Sequence, residues 1–162
     1  MGNEYRMKPA SQQEALLYLL IGESVCTIQH VEDALSHSIV LKMSRPRIKS
    51  EADQLLEKYR SFTLGKAVTI SEKEGLYPEP LTNKLRGLLF ERNWLIHKSV
   101  AQNRDGWDLN ISRDKLMGRI KTIIIQAHNI LRLIEEDLIK YSEENGVDMS
   151  QVKSEIKKYY FE

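Results

Sequence analysis

The segment that decides the fold is residues 80–102, which read PLTNKLRGLLFERNWLIHKSVAQ. Proline is favoured at the first position of a helix, and apolar residues recur at helical spacing after it, so the segment predicts one helix from Pro80 to about Gln102. The predicted helix has two apolar sides. The side that can face the chain's own core consists of Leu81, Leu85, Leu88 and Ile96. The other consists of Phe90, Trp94 and Ala101, and either a neighbouring helix or a second copy of the chain must cover it.

An arginine and a histidine lie five positions apart in this helix. Arg92 falls within the apolar stripe that faces the core, where a cation is costly unless a partner or a ligand meets it. His97 points roughly 140° away from Arg92, on the side of Asn93. One straight helix therefore does not bring Arg92 and His97 onto one small target. Either the helix is distorted there, or a second copy of the chain completes the site.

The run from Arg92 to His97, RNWLIH, resembles the signature of the HEPN superfamily. In that signature an arginine is followed directly by a polar residue and, a few residues further on, by a histidine late in a helix. The order of helices is also similar: a long first helix, a turn at residues 63–66 before a second helical piece, the motif helix and a long fourth helix. The resemblance implies an all-α bundle that dimerises through the motif helix and, in many members, cleaves RNA without a metal.

RNA cleavage by attack of its own 2′-hydroxyl needs a base for that proton and a cation for the charge at phosphorus. Histidine exchanges protons near neutral pH, so His97 is the predicted acid and base. Arg92 carries a planar fork of donors that matches two phosphate oxygens, and Asn93 would hold the imidazole or the phosphate in place. The products would be a 2′,3′-cyclic phosphate and a 5′-hydroxyl. DNA lacks the attacking group and is not an expected substrate.

Two functions remain open from the sequence. The first is a metal-independent endoribonuclease of HEPN type, a homodimer that acts as a toxin or defence effector and is restrained by an antitoxin or another regulatory protein. The second is a non-catalytic HEPN-like module that binds a nucleotide or a protein partner. A third interpretation is a structural bundle in which a glutamate of the chain pairs with Arg92. Some toxins of the family carry a tyrosine, modified by a nucleotidyltransferase, where Ser99 stands here, so that form of control is not expected.

The composition limits the class of protein. A chain of 162 residues with 29% charged residues, four prolines and eight glycines is typical of one soluble helical domain. The formal net charge of +1 argues against binding of nucleic acid by bulk electrostatics, so any contact with RNA must be local. A single cysteine, Cys26, excludes a disulfide within the chain. We expect a cytoplasmic protein without membrane contact, cofactor or metal, because no signal peptide, membrane-length apolar run, phosphate loop or metal motif is visible.

The remaining segments predict a four- to five-helix up-and-down bundle, with residues 1–10 as a flexible lead-in and 11–162 as one domain. Ser11 and Glu14 form a capping box that opens a long helix to about residue 42 or 43. Ser50 is predicted to cap a shorter helix to Arg60. Further helices are predicted over about 64–74, 112–144 and from Asp148 onwards. The predicted buried face of the first helix consists of Leu16, Leu20, Val25, Ile28, Val31, Leu35 and Ile39.

Four further features have two interpretations each. His30 and His37, with Asp33 between them, are predicted as helix-surface or interface histidines rather than as metal ligands. The basic loop 42–49 is predicted as a solvated connector, with contact to an RNA backbone as the alternative. Trp107 is predicted to cap the end of the bundle, and stacking on a base is the alternative. The basic and aromatic C-terminus, 157–161, either folds back on the bundle or binds a partner.

Overall fold

A computed structural model of the chain describes residues 9–102 and 110–161, without the side chains of 110–112. Within these ranges the chain forms seven α-helices and no strand, which confirms the predicted all-α class. The helices are α1 (Gln12–Ile39), α2 (Lys49–Arg60), α3 (Leu64–Lys73), α4 (Glu79–His97), α5 (Ser99–Gln102), α6 (Asn110–Glu144) and α7 (Ser150–Phe161). None of the described helices is long and apolar enough to cross a membrane. Most of the predicted lead-in and the loop with Trp107 lie outside the described residues.

The two longest helices, α1 and α6, pack along each other, and α4 packs on α6 and α3 to close the core. α1 begins at the predicted capping box, because the Ser11 backbone N–H donates to the Glu14 carboxylate at 2.7 Å and the Ser11 hydroxyl accepts from the Glu14 N–H at 3.2 Å. Large side chains that are fully buried come from four helices, α1, α3, α4 and α6. They are Leu17, Val31, Leu35, Ile39, Leu64, Leu85, Leu88, Ile120, Ile123 and Ile134.

Leu16 was predicted to be buried, and this prediction is wrong. Its side chain is 46% exposed, whereas that of Leu17 is completely buried. The buried line of α1 continues from Leu17 through Leu20 and Ser24 to Ile28, in steps of three and four residues. Leu16 lies about 100° from that line on the helix and faces outwards.

The predicted start of the second helix is wrong as well. α2 begins at Lys49 after Ile48, no side chain caps it, and Ser50 lies within the helix. The end at Arg60 agrees with the prediction. At the next helix, Thr63 caps α3 by accepting from the Lys66 N–H at 3.3 Å.

α4 ends at His97 and does not continue to Gln102 as predicted. Lys98 leaves the helical conformation with φ −127° and ψ −22°, and the single turn α5 follows. The Ser99 hydroxyl donates at 2.6 Å to the Leu95 carbonyl, which is the acceptor that the Ser99 N–H would use in a continuing helix. Thr27 and Ser36 make the same contact within α1 without ending it, so this bond alone does not account for the break.

Lys42 is not part of a solvated connector, which corrects the prediction for the first residue of the basic loop. A π-helical turn, Val40–Ser44, ends α1 and directs Lys42 inwards, where its side chain is only 9% exposed. Its ammonium group pairs with Asp137 of α6, donates at 2.9 Å to the Leu76 carbonyl and lies 4.6 Å from the ring centroid of Tyr77. Lys42 therefore joins α1 to α6 and to the loop before α4. The other cations of the loop, Arg45, Arg47 and Lys49, are exposed.

The C-terminal helix folds back on α6, as one of the two interpretations predicted. The Tyr160 hydroxyl donates to the Glu135 carboxylate at 3.0 Å, and Lys153 pairs with Glu143. Asp148 caps the helix by accepting from the Ser150 N–H at 2.9 Å. Tyr159 and Phe161, at the end of the helix, remain largely exposed.

Candidate functional site

The three predicted site residues lie in the last two turns of α4, on two different sides of the helix. The core line of α4 runs through Leu81, Leu85, Leu88 and Leu95 and continues to Ser99 of α5, all of which are buried. Arg92 occupies the position of that line between Leu88 and Leu95, as the sequence predicted, with a side chain that is 29% exposed. Asn93 and His97 lie on the solvent side. Ile96, which was predicted to face the core, is exposed instead.

The guanidinium of Arg92 is held only loosely. Its Nε lies 4.0 Å from a carboxylate oxygen of Glu32 on α1, and its Nη1 donates to the Asn93 side-chain oxygen at 3.4 Å. For comparison, Arg119 of α6 donates to both carboxylate oxygens of Glu91, at 2.8 Å and 3.1 Å. Charge-assisted hydrogen bonds are strong at the shorter distances and weaken as the distance grows. Arg92 therefore has an internal partner, but one that a closer anion could replace.

Glu32 carries a carboxyl group whose pKa the fold perturbs. Burial raises the pKa of Glu32, while the Arg92 charge and a hydrogen bond from the backbone of Leu64 act in the opposite direction and do not cancel the effect of burial. The folded state therefore holds the proton of Glu32 more tightly than the unfolded chain does.

A pH dependence of stability follows from this shift. Glu32 contributes stability below the ordinary pKa of glutamate, and the contribution declines as pH rises through the folded-state value. Glutamine imitates the neutral acid. The free energy of unfolding of Glu32→Gln should therefore rise relative to that of the wild type as the pH is raised from about 4 to about 7. Urea denaturation at both pH values measures the difference. Glu136→Gln, at an exposed glutamate, is the control, and a gain that does not depend on pH would contradict the assignment.

His97 is the last residue of α4, and its side chain is exposed. It makes no hydrogen bond or ion pair with the residues that the structure describes. Because α4 is regular through His97 and breaks only at Lys98, the break does not turn His97 towards Arg92. The sequence left two ways to bring Arg92 and His97 together: a distorted helix or a second copy of the chain. Because α4 is not distorted between these two residues, the first way does not apply.

The sequence left a neighbouring helix or a second copy of the chain to cover the second apolar side of α4, and at Trp94 the cover is a neighbouring helix of the same chain. Trp94 is 7% exposed, and the guanidinium carbon of Arg119 lies 3.5 Å from its ring centroid. The indole N–H of Trp94 donates to the Gln102 side-chain oxygen at 2.9 Å. A neighbouring helix of the same chain thus covers Trp94, whereas Phe90 remains 68% exposed.

The solvent side of α4 forms a continuous face, which we call the outward face: Arg86, Phe90, Asn93 and His97. Positions spaced by three or four residues lie above one another on a helix. Arg86 is tied to Glu72 of α3 at 2.5 Å and acts as an ordinary surface charge. A large exposed aromatic side chain therefore lies directly beside two of the three predicted site residues.

A groove of about 440 Å³ adjoins the outward face where α4, α5 and α6 meet. It is lined by Phe90, Asn93, Trp94, Lys98, Gln102 and Arg119. Sequence reasoning missed Arg119, because it is 28 residues from its partner Glu91 and nothing in the local pattern marks it. Arg104, another cation near the motif in sequence, lies outside the described residues.

The histidines of α1 lie at the surface, as predicted. Arg60 of α2 donates to Asp33 at 2.7 Å, and the His37 ring lies 3.5 Å from the same carboxylate. His30 lines a groove with His37 and with residues of α6 and α7. Among the described residues, no group of three or more histidine, cysteine or carboxylate side chains is placed to hold a metal ion.

Comparisons with known proteins find no match to this chain among family models, curated proteins or solved structures.

Proposed function

We propose that this protein is a metal-independent endoribonuclease of HEPN type that acts as a homodimer, with α4 at the centre of an up-and-down bundle. His97 exchanges the proton of the attacking 2′-hydroxyl, and Arg92 binds the phosphate. The observation that carries the proposal is the outward face of α4, where the exposed ring of Phe90 lies beside Asn93 and His97. RNA supplies its own nucleophile, so His97 as the base and Arg92 as the cation would provide the remaining groups that the reaction requires.

The proposed dimer has its two α4 helices crossing near Phe90 and Asn93. A two-fold axis there would bury the most exposed apolar side chain of α4 against its own copy. Within one chain α4 is regular through His97, and Arg92 and His97 lie on different sides of it, so one chain does not bring the two side chains together. We therefore propose that the His97 of one protomer acts with the Arg92 of its partner in a cleft between the two α4 helices. In this arrangement each active site takes its arginine from one chain and its histidine from the other.

The loose contacts of Arg92 support its role in binding phosphate. Its guanidinium already extends towards Asn93, which belongs to the outward face. The contact with Glu32 is loose, because the two groups are 4.0 Å apart. A phosphate at the dimer interface would offer two oxygens at shorter range. In a cell such an enzyme would be a toxin or defence effector, and it would need a regulatory protein to restrain it.

A second candidate function is a non-catalytic module that binds a nucleotide or a protein partner. The loose contact between Arg92 and Glu32, at 4.0 Å, supports it, because the phosphate of a nucleotide or a carboxylate of a partner could take the place of Glu32. A module of this kind would tolerate loss of His97 and would lose its ligand when Arg92 is removed.

Cleavage of RNA in the presence of EDTA tests the proposal. The purified protein is incubated with total tRNA and ribosomal RNA, and the ends of the fragments are analysed. We expect fragments with 2′,3′-cyclic phosphate and 5′-hydroxyl ends, and we expect a DNA of the same sequence to stay intact. Intact RNA from a folded dimer would contradict the nuclease and favour the binding module.

Phe90→Glu is expected to dissociate the dimer. A charge placed at the centre of a two-fold interface faces its own copy and must lose its water, so the dissociation constant should rise at least about tenfold. Analytical ultracentrifugation measures it. Phe161→Glu is the matched control, because Phe161 is similarly exposed but lies on α7. The proposed interface is wrong if both variants associate as the wild type does.

A further inference from the structure

The groove beside α4 is lined by hydrogen-bond donors. Gln102 uses its side-chain oxygen to accept from Trp94, and Asn93 uses its oxygen to accept from Arg92, so both amides keep their NH₂ groups for the groove. Arg119 donates to Glu91 through Nε and Nη2, which leaves Nη1 without that partner. Lys98 makes no ion pair with the described residues. No carboxylate is among the described side chains that line the groove.

These donors favour a phosphate group as the ligand. Four side chains from α4, α5, α6 and the break at Lys98 present nitrogen donors to one space of about 440 Å³. The charge of Arg119 is largely balanced by Glu91, so Lys98 supplies the net positive charge of the groove. The Glu91 carboxylate and the ring of Trp94 hold Arg119 in place. Its remaining donor, Nη1, can therefore bind a ligand with little further loss of side-chain entropy.

From these contacts we infer that the groove lined by Asn93, Lys98, Gln102 and Arg119 is a second phosphate-binding site, which holds an RNA phosphodiester next to the one that is cleaved. The assignment to RNA rests on the proposed function, because Lys98 directly follows His97 and Asn93 belongs both to the outward face and to the groove. An RNA chain that crosses the outward face therefore also passes the groove. This explains how a protein with a net charge of +1 binds RNA through local contacts.

Binding of a non-cleavable RNA tests this site separately from cleavage. The probe is a short fluorescent RNA with 2′-O-methyl riboses, which lacks the attacking hydroxyl. We expect Lys98→Ala to weaken binding by roughly threefold to tenfold and to lower the dependence of log affinity on log salt by about one. Lys98→Arg should restore most of the affinity. Lys84→Ala, at another exposed lysine of α4, is the matched control and should bind as the wild type does.

The following results would overturn the inference or divide it from the proposed function. The site is absent if the wild type does not bind the probe, or if Lys98→Ala binds it as tightly as Lys84→Ala. The assignment to RNA is wrong if adenosine monophosphate displaces the probe at concentrations close to the dissociation constant of the probe, which would identify a free nucleotide as the ligand. If the probe binds in a manner that depends on Lys98 but the protein does not cleave RNA, the phosphate-binding groove is supported and the proposed nuclease function is wrong. If cleavage depends on His97, while Lys98→Ala cleaves RNA and binds the probe as the wild type does, the groove is not a phosphate-binding site and the proposed nuclease function stands.

Discussion

Replacement of His97 by alanine is expected to lower the rate of RNA cleavage by about 10²–10⁴-fold, which is the usual contribution of a general acid or base. The fold and the dimer should not change, because the side chain is exposed and makes no hydrogen bond or ion pair with the described part of the chain. Single-turnover cleavage of an RNA oligonucleotide at saturating enzyme measures the chemical step without the contribution of binding.

His128→Ala is the matched control for this experiment, because His128 is an exposed histidine on α6 outside the outward face of α4. It should cleave at the rate of the wild type. If His97→Ala cleaves as fast as His128→Ala, then His97 takes no part in the reaction. A variant that fails to cleave but also fails to dimerise would place His97 in the interface and not in the chemistry.

Removal of the carboxylate that meets Lys42 should have the largest effect on stability. Asp137→Ala leaves a nearly buried ammonium group beside the Leu76 carbonyl and the rings of Tyr77 and Tyr141, without the carboxylate that balances its charge. Breaking a buried ion pair from one side typically costs about 3–5 kcal/mol. Because the Asp137 side chain is 25% exposed, we expect a loss of about 2–4 kcal/mol in the free energy of unfolding.

Urea denaturation at neutral pH measures this loss. The control is Glu136→Ala, which removes the neighbouring carboxylate from an exposed pair with Arg132 and should change the free energy of unfolding by less than about 1 kcal/mol. The double variant Lys42→Met with Asp137→Leu should recover much of the loss, since no unpaired charge remains. Equal stabilities of Asp137→Ala and Glu136→Ala would show that the pair contributes nothing to the fold.

The sequence predicted those parts of the fold that depend on spacing along one helix. The stripe from Leu116 to Ile134 recurs without interruption, and α6 ends at Glu144 as predicted. The capping box at Ser11 involves only neighbours in sequence and was predicted in full. Arg92 was placed correctly on the core side of α4 for the same reason.

Other features could not be predicted because nothing in the local sequence marks them. α4 ends early at His97, although residues 98–102 have no proline or glycine that would mark the break. Lys42 belongs to a basic run and looked solvated, but its partner Asp137 is 95 residues away. The sequence left open which element covers Trp94, and the cover is Arg119 of α6. Local spacing carries no information on such partners.

The central claim is that Arg92 of one protomer and His97 of its partner form one active site, and mixing two inactive variants tests it most directly. Arg92→Ala and His97→Ala chains are mixed in equal amounts, allowed to exchange subunits and assayed for RNA cleavage. Half of the dimers should be mixed, and one of the two sites in each should hold both wild-type side chains, so we predict about a quarter of the wild-type activity. If wild type cleaves, both single variants are inactive folded dimers and the exchanged mixture shows no activity above theirs, the shared site is contradicted.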